Sequence, residues 1–167
     1  MELYDHITYG LDLTQRMKMF VKKTDKDINY YKAPNSDTLI SISNRLSHIN
    51  YPVLVAIDGK DSDFDDNDSD ALLKKPQFFF MILKPARTDD PDEILEAQRV
   101  CEANALQIQA KLIADCRNYE KGLTGLLLNT FTIRSIGPVG ENLYGVIMGF
   151  NIQCGVDYGV KEEFWNP

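Results

Sequence analysis

The chain has 167 residues, 44% hydrophobic and 26% charged, the balance of an ordinary globular protein and enough for one domain with a sizeable core. Its formal net charge of −7 repels phosphate backbones and argues against direct nucleic-acid binding. No apolar run approaches the roughly 20 residues of a membrane span, and Met1-Glu2-Leu3-Tyr4-Asp5-His6 lacks the basic and apolar segments of a signal peptide.

Residues 1–22 place Leu3, Ile7, Leu11, Thr14, Met17 and Val21 near helical spacing and read as a helix, interrupted by Gly10 at a cost of about 1 kcal/mol. Residues 23–36 lack periodicity and read as a long loop. Leu39, Ile42, Leu46 and Ile49 return to helical spacing. Ile40-Ser41-Ile42-Ser43 also permits a strand, but the longer window favours a helix through His48. Pro52 stops it, and Val53-Leu54-Val55-Ala56-Ile57 reads as a buried strand.

Asp58 to Asp70 holds seven aspartates: Asp58, Asp61, Asp63, Asp65, Asp66, Asp68 and Asp70. The spacing fails as a calcium loop: counted from Asp61, the sixth position is Asp66 where glycine is needed and the twelfth is Leu72 where glutamate is needed. Self-repulsion predicts an extended, solvated loop. After Pro76, Gln77-Phe78-Phe79-Phe80-Met81-Ile82-Leu83 is the strongest strand signal, ended by Pro85.

Asp90-Pro91-Asp92-Glu93 carries the marks of a helix start: an N-cap, proline at the first position, and acids at the positive end of the dipole. From there to about Arg117, Ile94, Ala97, Cys101, Ala105, Ile108, Leu112 and Cys116 form one apolar stripe, which Leu95, Leu106 and Ile113 widen on one side. A turn at Asn118–Gly125 leads to a strand at Leu126–Ile136 with Phe131 and Ile133 facing in, a hairpin loop at Gly137–Asn142, and a last strand at about Leu143–Cys154. Gly145 and Gly149 on that strand suggest a bulge or the close approach of another backbone. The order predicts an α+β fold: a four-stranded, mostly antiparallel sheet with a long helix and one or two N-terminal helices packed on one face. One domain covers 1–167, as helix and loop 1–36, core 37–154 and aromatic tail 155–167.

No catalytic constellation is visible. His6 and His48 are the two histidines, and they read as surface or helix-flank residues. Zinc spacing, phosphate loops and Gly-x-Ser-x-Gly are absent. Cys101 and Cys116 lie about four turns apart on one helix, too far to bridge, so with Cys154 they read as reduced cytosolic thiols. The expectation is no catalytic, cofactor or metal residue. The residues marked for partner contact are Tyr158, Phe164 and Trp165 of the tail, which either cap the core or anchor a partner, and Asp63, Asp65 and Asp66 of the acidic stretch.

The segment Phe78-Phe79-Phe80-Met81-Ile82-Leu83-Lys84-Pro85-Ala86-Arg87-Thr88-Asp89-Asp90-Pro91-Asp92-Glu93-Ile94-Leu95 resembles the tail terminator, or tail completion, proteins of long-tailed bacteriophages. Tyr144-Gly145-Val146-Ile147-Met148-Gly149-Phe150-Asn151-Ile152 resembles their final strand. The likeness covers roughly residues 37–154 and lies in element order and caps; the loop 23–36 and the tail 155–167 depart from it. It implies a non-enzymatic virion component of a phage or prophage, found in the host cytoplasm and the virion tail. Such a protein forms a ring, often of six subunits, that caps the tail tube and joins it to the head, with tube and head–tail connector proteins as partners. The alternatives are a cytosolic ligand-binding or regulatory α+β domain and an enzyme of unknown type. The first would show a concave apolar site with convergent polar groups, the second clustered ionisable residues with perturbed pKa values.

Overall fold

A computed structural model describes residues 3–20, 29–33, 51–58, 62–66, 72–156 and 161–164. The fold is mixed α+β, with helices α1 (His6–Arg16) and α2 (Pro91–Arg117). The strands are β1 (Tyr30–Ala33), β2 (Val53–Ile57), β3 (Ser62–Asp66), β4 (Leu72–Pro85), β5 (Leu126–Val139), β6 (Leu143–Ile152) and β7 (Cys154–Gly155). The expected four-stranded sheet is corrected to seven strands among the described residues, in the order β1-β2-β4-β6-β5, with β3 and β7 also paired to β4. The β1–β2 pair is parallel and the other pairs are antiparallel.

The extra strands arise where local sequence does not decide the conformation. β1 falls within the expected loop 23–36 and is held by parallel pairing of Tyr30–Ala33 with Leu54–Ile57. β3 falls within the expected solvated acidic loop. There Asp63 faces Lys75 and Phe64 faces Lys74, so cross-strand cations offset the self-repulsion. β4 starts at Leu72, five residues before the expected Gln77, and runs through Pro76. β6 and β7 keep one register along it, with Gln77 facing Asn151 and Lys74 facing Cys154. The break between them lies opposite the Lys75-Pro76 stretch, where proline has no N–H for the ladder and Gln153 turns its own N–H to the Gly125 carbonyl at 2.7 Å. The helix expected through His48 lies outside the described residues.

α2 follows its sequence marks closely. The Asp90 side chain accepts from the Asp92 and Glu93 N–H groups, Pro91 is the first helical residue, and Ala97, Cys101, Ala105, Ile108 and Leu112 are buried. Leu95 and Leu106, expected to widen the stripe, are instead 55% and 50% exposed: small residues at 97, 101 and 105 seat the helix close to the sheet and leave the flanks in solvent. α1 is shorter than the expected 1–22 helix. Asp5 caps it through the Thr8 N–H, and a single 3-10 turn, Lys18–Phe20, follows its end.

Side chains alternate across the sheet. Leu54, Ala56, Phe78, Phe80, Ile82, Val146, Met148 and Phe150 join Tyr9 and Leu13 of α1 and the stripe of α2 in the main core. Val53, Val55, Ile57, Met81, Leu83 and Leu143 form a second buried cluster on the opposite face. Two glycines permit close packing. A Cβ at Gly10 would sit 2.9 Å from a Phe80 ring carbon and 3.2 Å from the Ala56 Cβ, which explains a glycine inside α1. A Cβ at Gly145 would lie 1.8 Å from the Ile82 carbonyl oxygen. Gly145 thus marks close backbone approach, and the irregular register belongs to β5, between Leu127 and Thr132 and between Ile136 and Val139.

Candidate functional site

β4 has 14 residues, roughly 46 Å of extended chain. Its C-terminal part lies between β2 and β6; its N-terminal part leaves the core between β3 and β7 as a narrow three-stranded arm. The arm is charged. Lys75 Nζ lies 2.6 Å from Asp65 Oδ2, with the carboxylate about half exposed. Phe64, between Asp63 and Asp65, is 60% exposed, so a large aromatic ring stands in solvent amid acids. Asp66 ends the strand opposite Leu72.

The other marked residues lie elsewhere in the chain. Phe164 is in a single 3-10 turn, Glu162–Phe164, and is 77% exposed, so it does not cap the core. Tyr158 and Trp165 lie outside the described residues.

At the root of the arm is a mostly apolar groove of about 500 Å³, lined by Leu3, Tyr4, Pro76, Phe78, Ile152 and Cys154 among others. The Cys154 thiol faces the Lys74 carbonyl at 3.6 Å. Among the described residues no group of three or more His, Cys, Asp or Glu side chains is placed to hold a metal ion.

Two buried polar clusters were not legible as such. Asp115 is 2% exposed and accepts from the Tyr9 hydroxyl at 2.8 Å and from Lys111 one turn earlier. Burial, then the carboxylate, drives the Tyr9 phenol pKa upward. Asp115 ties α1 to α2, with one carboxylate oxygen accepting from a phenol and the other from an ammonium. Its position was a signal: 108, 112 and 115 continue the apolar stripe, so an acid there faces inward.

The second cluster is His6, which is a core residue at 2% exposure, where a surface or helix-flank position was expected. Nε2 lies 2.9 Å from the Phe79 carbonyl oxygen and Nδ1 lies 2.9 Å from the Tyr4 hydroxyl. The carbonyl can only accept, so Nε2 carries the proton and Nδ1 accepts from Tyr4. Burial holds the ring's pKa down at about 4, against the opposing pull of the Phe79 hydrogen bond. Cys101, beneath α2, has its thiol pKa pushed up to about 12 by burial and is chemically quiet at neutral pH.

No family model, curated protein or solved structure matches this chain. Among the described residues, no helix is long and apolar enough to cross a membrane.

Proposed function

We propose that the protein is a non-enzymatic virion structural protein of the tail terminator type, a ring that caps a phage tail tube and joins it to the head. Its partners are further copies of itself, the tail tube and the head–tail connector, and its places are the bacterial cytoplasm and the virion tail. The observation that supports this reading is the β3–β4–β7 arm. It extends the sheet beyond the core and carries Asp63, Asp65 and the exposed Phe64, a rigid projection suited to gripping another protein. The exposed Phe164 extends the partner-facing set, together with Asp66, Tyr158 and Trp165.

The test is absolute mass by light scattering over a concentration series, with negative-stain imaging of large species, for the parent and Phe64→Ser. A closed ring for the parent and smaller species for the variant is the expected result. A monomer or dimer at every concentration, with no binding to purified tail tubes, overturns it. The groove of about 500 Å³ favours the second reading, a ligand-binding or regulatory domain, which then becomes the working one.

A further inference from the structure

We propose that His6 is an acid-sensitive latch: when its ring takes up a proton, the segment from Leu3 to His6 lifts from β4 and releases the Asp5 cap of α1 while the sheet stays folded, and the groove beside it widens. The inference is independent of the tail reading and rests on how the ring is held.

In the neutral ring both nitrogens are engaged, Nε2–H donating to the Phe79 carbonyl and Nδ1 accepting from Tyr4. Protonation places a hydrogen on Nδ1, where the Tyr4 hydroxyl already donates. Tyr4 must turn to accept, and its own proton loses its acceptor. The new charge sits among Phe80, Phe78, Tyr4 and Phe150, at ring separations of 4.2, 5.1, 5.8 and 5.9 Å. Ring faces return part of the lost hydration of a cation, but they supply no counter-charge.

The titratable groups around the ring leave the charge poorly compensated. Asp5, on the same segment, is the carboxylate whose charge acts on His6, and its oxygens are held by the Thr8 N–H and hydroxyl. β4 and β6 present Phe78, Phe80 and Phe150. From α1 comes Tyr9 and from β1 Tyr30, both phenols that stay neutral in acid, and Asp58, just after β2, acts on Tyr4.

The lift is local because the chain is pinned just beyond it. The Tyr30 hydroxyl donates to the Ile7 carbonyl at 2.6 Å, and Tyr9 is tied to Asp115. Upstream, Leu3 is 81% exposed, and Tyr4 rests edge-on against Phe78 at 5.2 Å. Leu3, Tyr4 and Phe78 line the groove, so displacing the first two uncovers the third.

The test is amide exchange by NMR on the full chain at pH 7 and pH 5. The Tyr9 N–H, bonded to the Asp5 carbonyl, reports the latch, and the amides of Phe80 and Met148, paired across β4 and β6, report the sheet. With the ring's folded pKa near 4 and an ordinary value of 6.5, the Tyr9 protection factor falls about 20-fold between these pH values and stays well below those of Phe80 and Met148, which open only when the sheet unfolds. In His6→Gln, whose amide can still donate to Phe79 but does not titrate, the fall disappears. An equal fall in the variant, or Tyr9 protection no lower than that of Phe80 and Met148 at either pH, overturns the proposal. Should the variant not fold, the parent's ring resonances decide: a midpoint below about 5 that tracks Tyr9 exchange supports the latch, and a midpoint at about 6 or above overturns it.

Discussion

The two ends of β4 live in different physical regimes. From Phe78 to Leu83 the strand lies between β2 and β6, with Phe80, Met81 and Leu83 fully buried and neighbours packed on both faces. From Leu72 to Pro76 it pairs with β3 and, at Leu73 and Lys74, with β7, mostly half-buried, with Lys74 and Lys75 set against the acidic β3. One stretch is held by apolar burial and the other by backbone pairing and screened charge. Equal-sized lesions therefore have unequal costs, and the polar residues that matter for stability are buried ones outside the arm.

Substitution within the core half gives the largest effect. Phe80→Ala removes a fully buried ring from the main cluster and lowers unfolding free energy by about 3–5 kcal/mol, read from urea midpoints at constant slope. A cost under about 1 kcal/mol would mean that this half is not the core. Next is Tyr9→Phe, which strips the buried Asp115 of its phenol partner and leaves only Lys111, at about 1–3 kcal/mol.

Asp5→Ala follows, at about 1 kcal/mol near neutral pH for loss of the α1 cap. The Thr8 hydrogen bonds hold the Asp5 carboxyl below its ordinary value of 3.8, so the folded state favours the ionised form. Its contribution is present above that value and is lost as pH falls through the lower folded value. Parent and variant melting curves therefore draw together as pH falls below the ordinary carboxylate value of 3.8. Asp65→Asn is the smallest, within about 1 kcal/mol, and its effect shrinks further in 1 M salt because the pair with Lys75 is exposed. A salt-insensitive loss of several kcal/mol there would erase the contrast between the two halves.

How far this arrangement could be read from sequence differs by region for the same reason. α2 was legible almost to the residue because its signals are local: Asp90 and Pro91 start it, and a 3.6-residue stripe directs it. β2, the core half of β4 and β6 were legible because long apolar or alternating runs declare themselves. β1 was not, since four residues carry no period and its partner lies more than twenty residues away. β3 departs from the expected loop because Lys74 and Lys75 on the neighbouring strand, and not the aspartates alone, set the charge balance. Of the residues marked for partner contact, Phe164 is exposed, and Asp63 and Asp65 lie on the same short strand. The helical stripe points Asp115 inward, but its partner Tyr9 lies 106 residues away, and the carbonyl that holds His6 lies 73 residues away, which no local window contains.

Because one continuous strand serves both arm and core, the arm has a mechanical character. A load applied to it along β4 does not open a hairpin bond by bond. It passes into nine residue pairs with β6 and five with β2, aligned with the strand, so the ladders are loaded in shear and must yield together. A pull across the arm meets only β3 and the two-residue β7 and peels them in sequence. The protein is stiff to tension along one direction and compliant at right angles to it, a tether with a preferred axis.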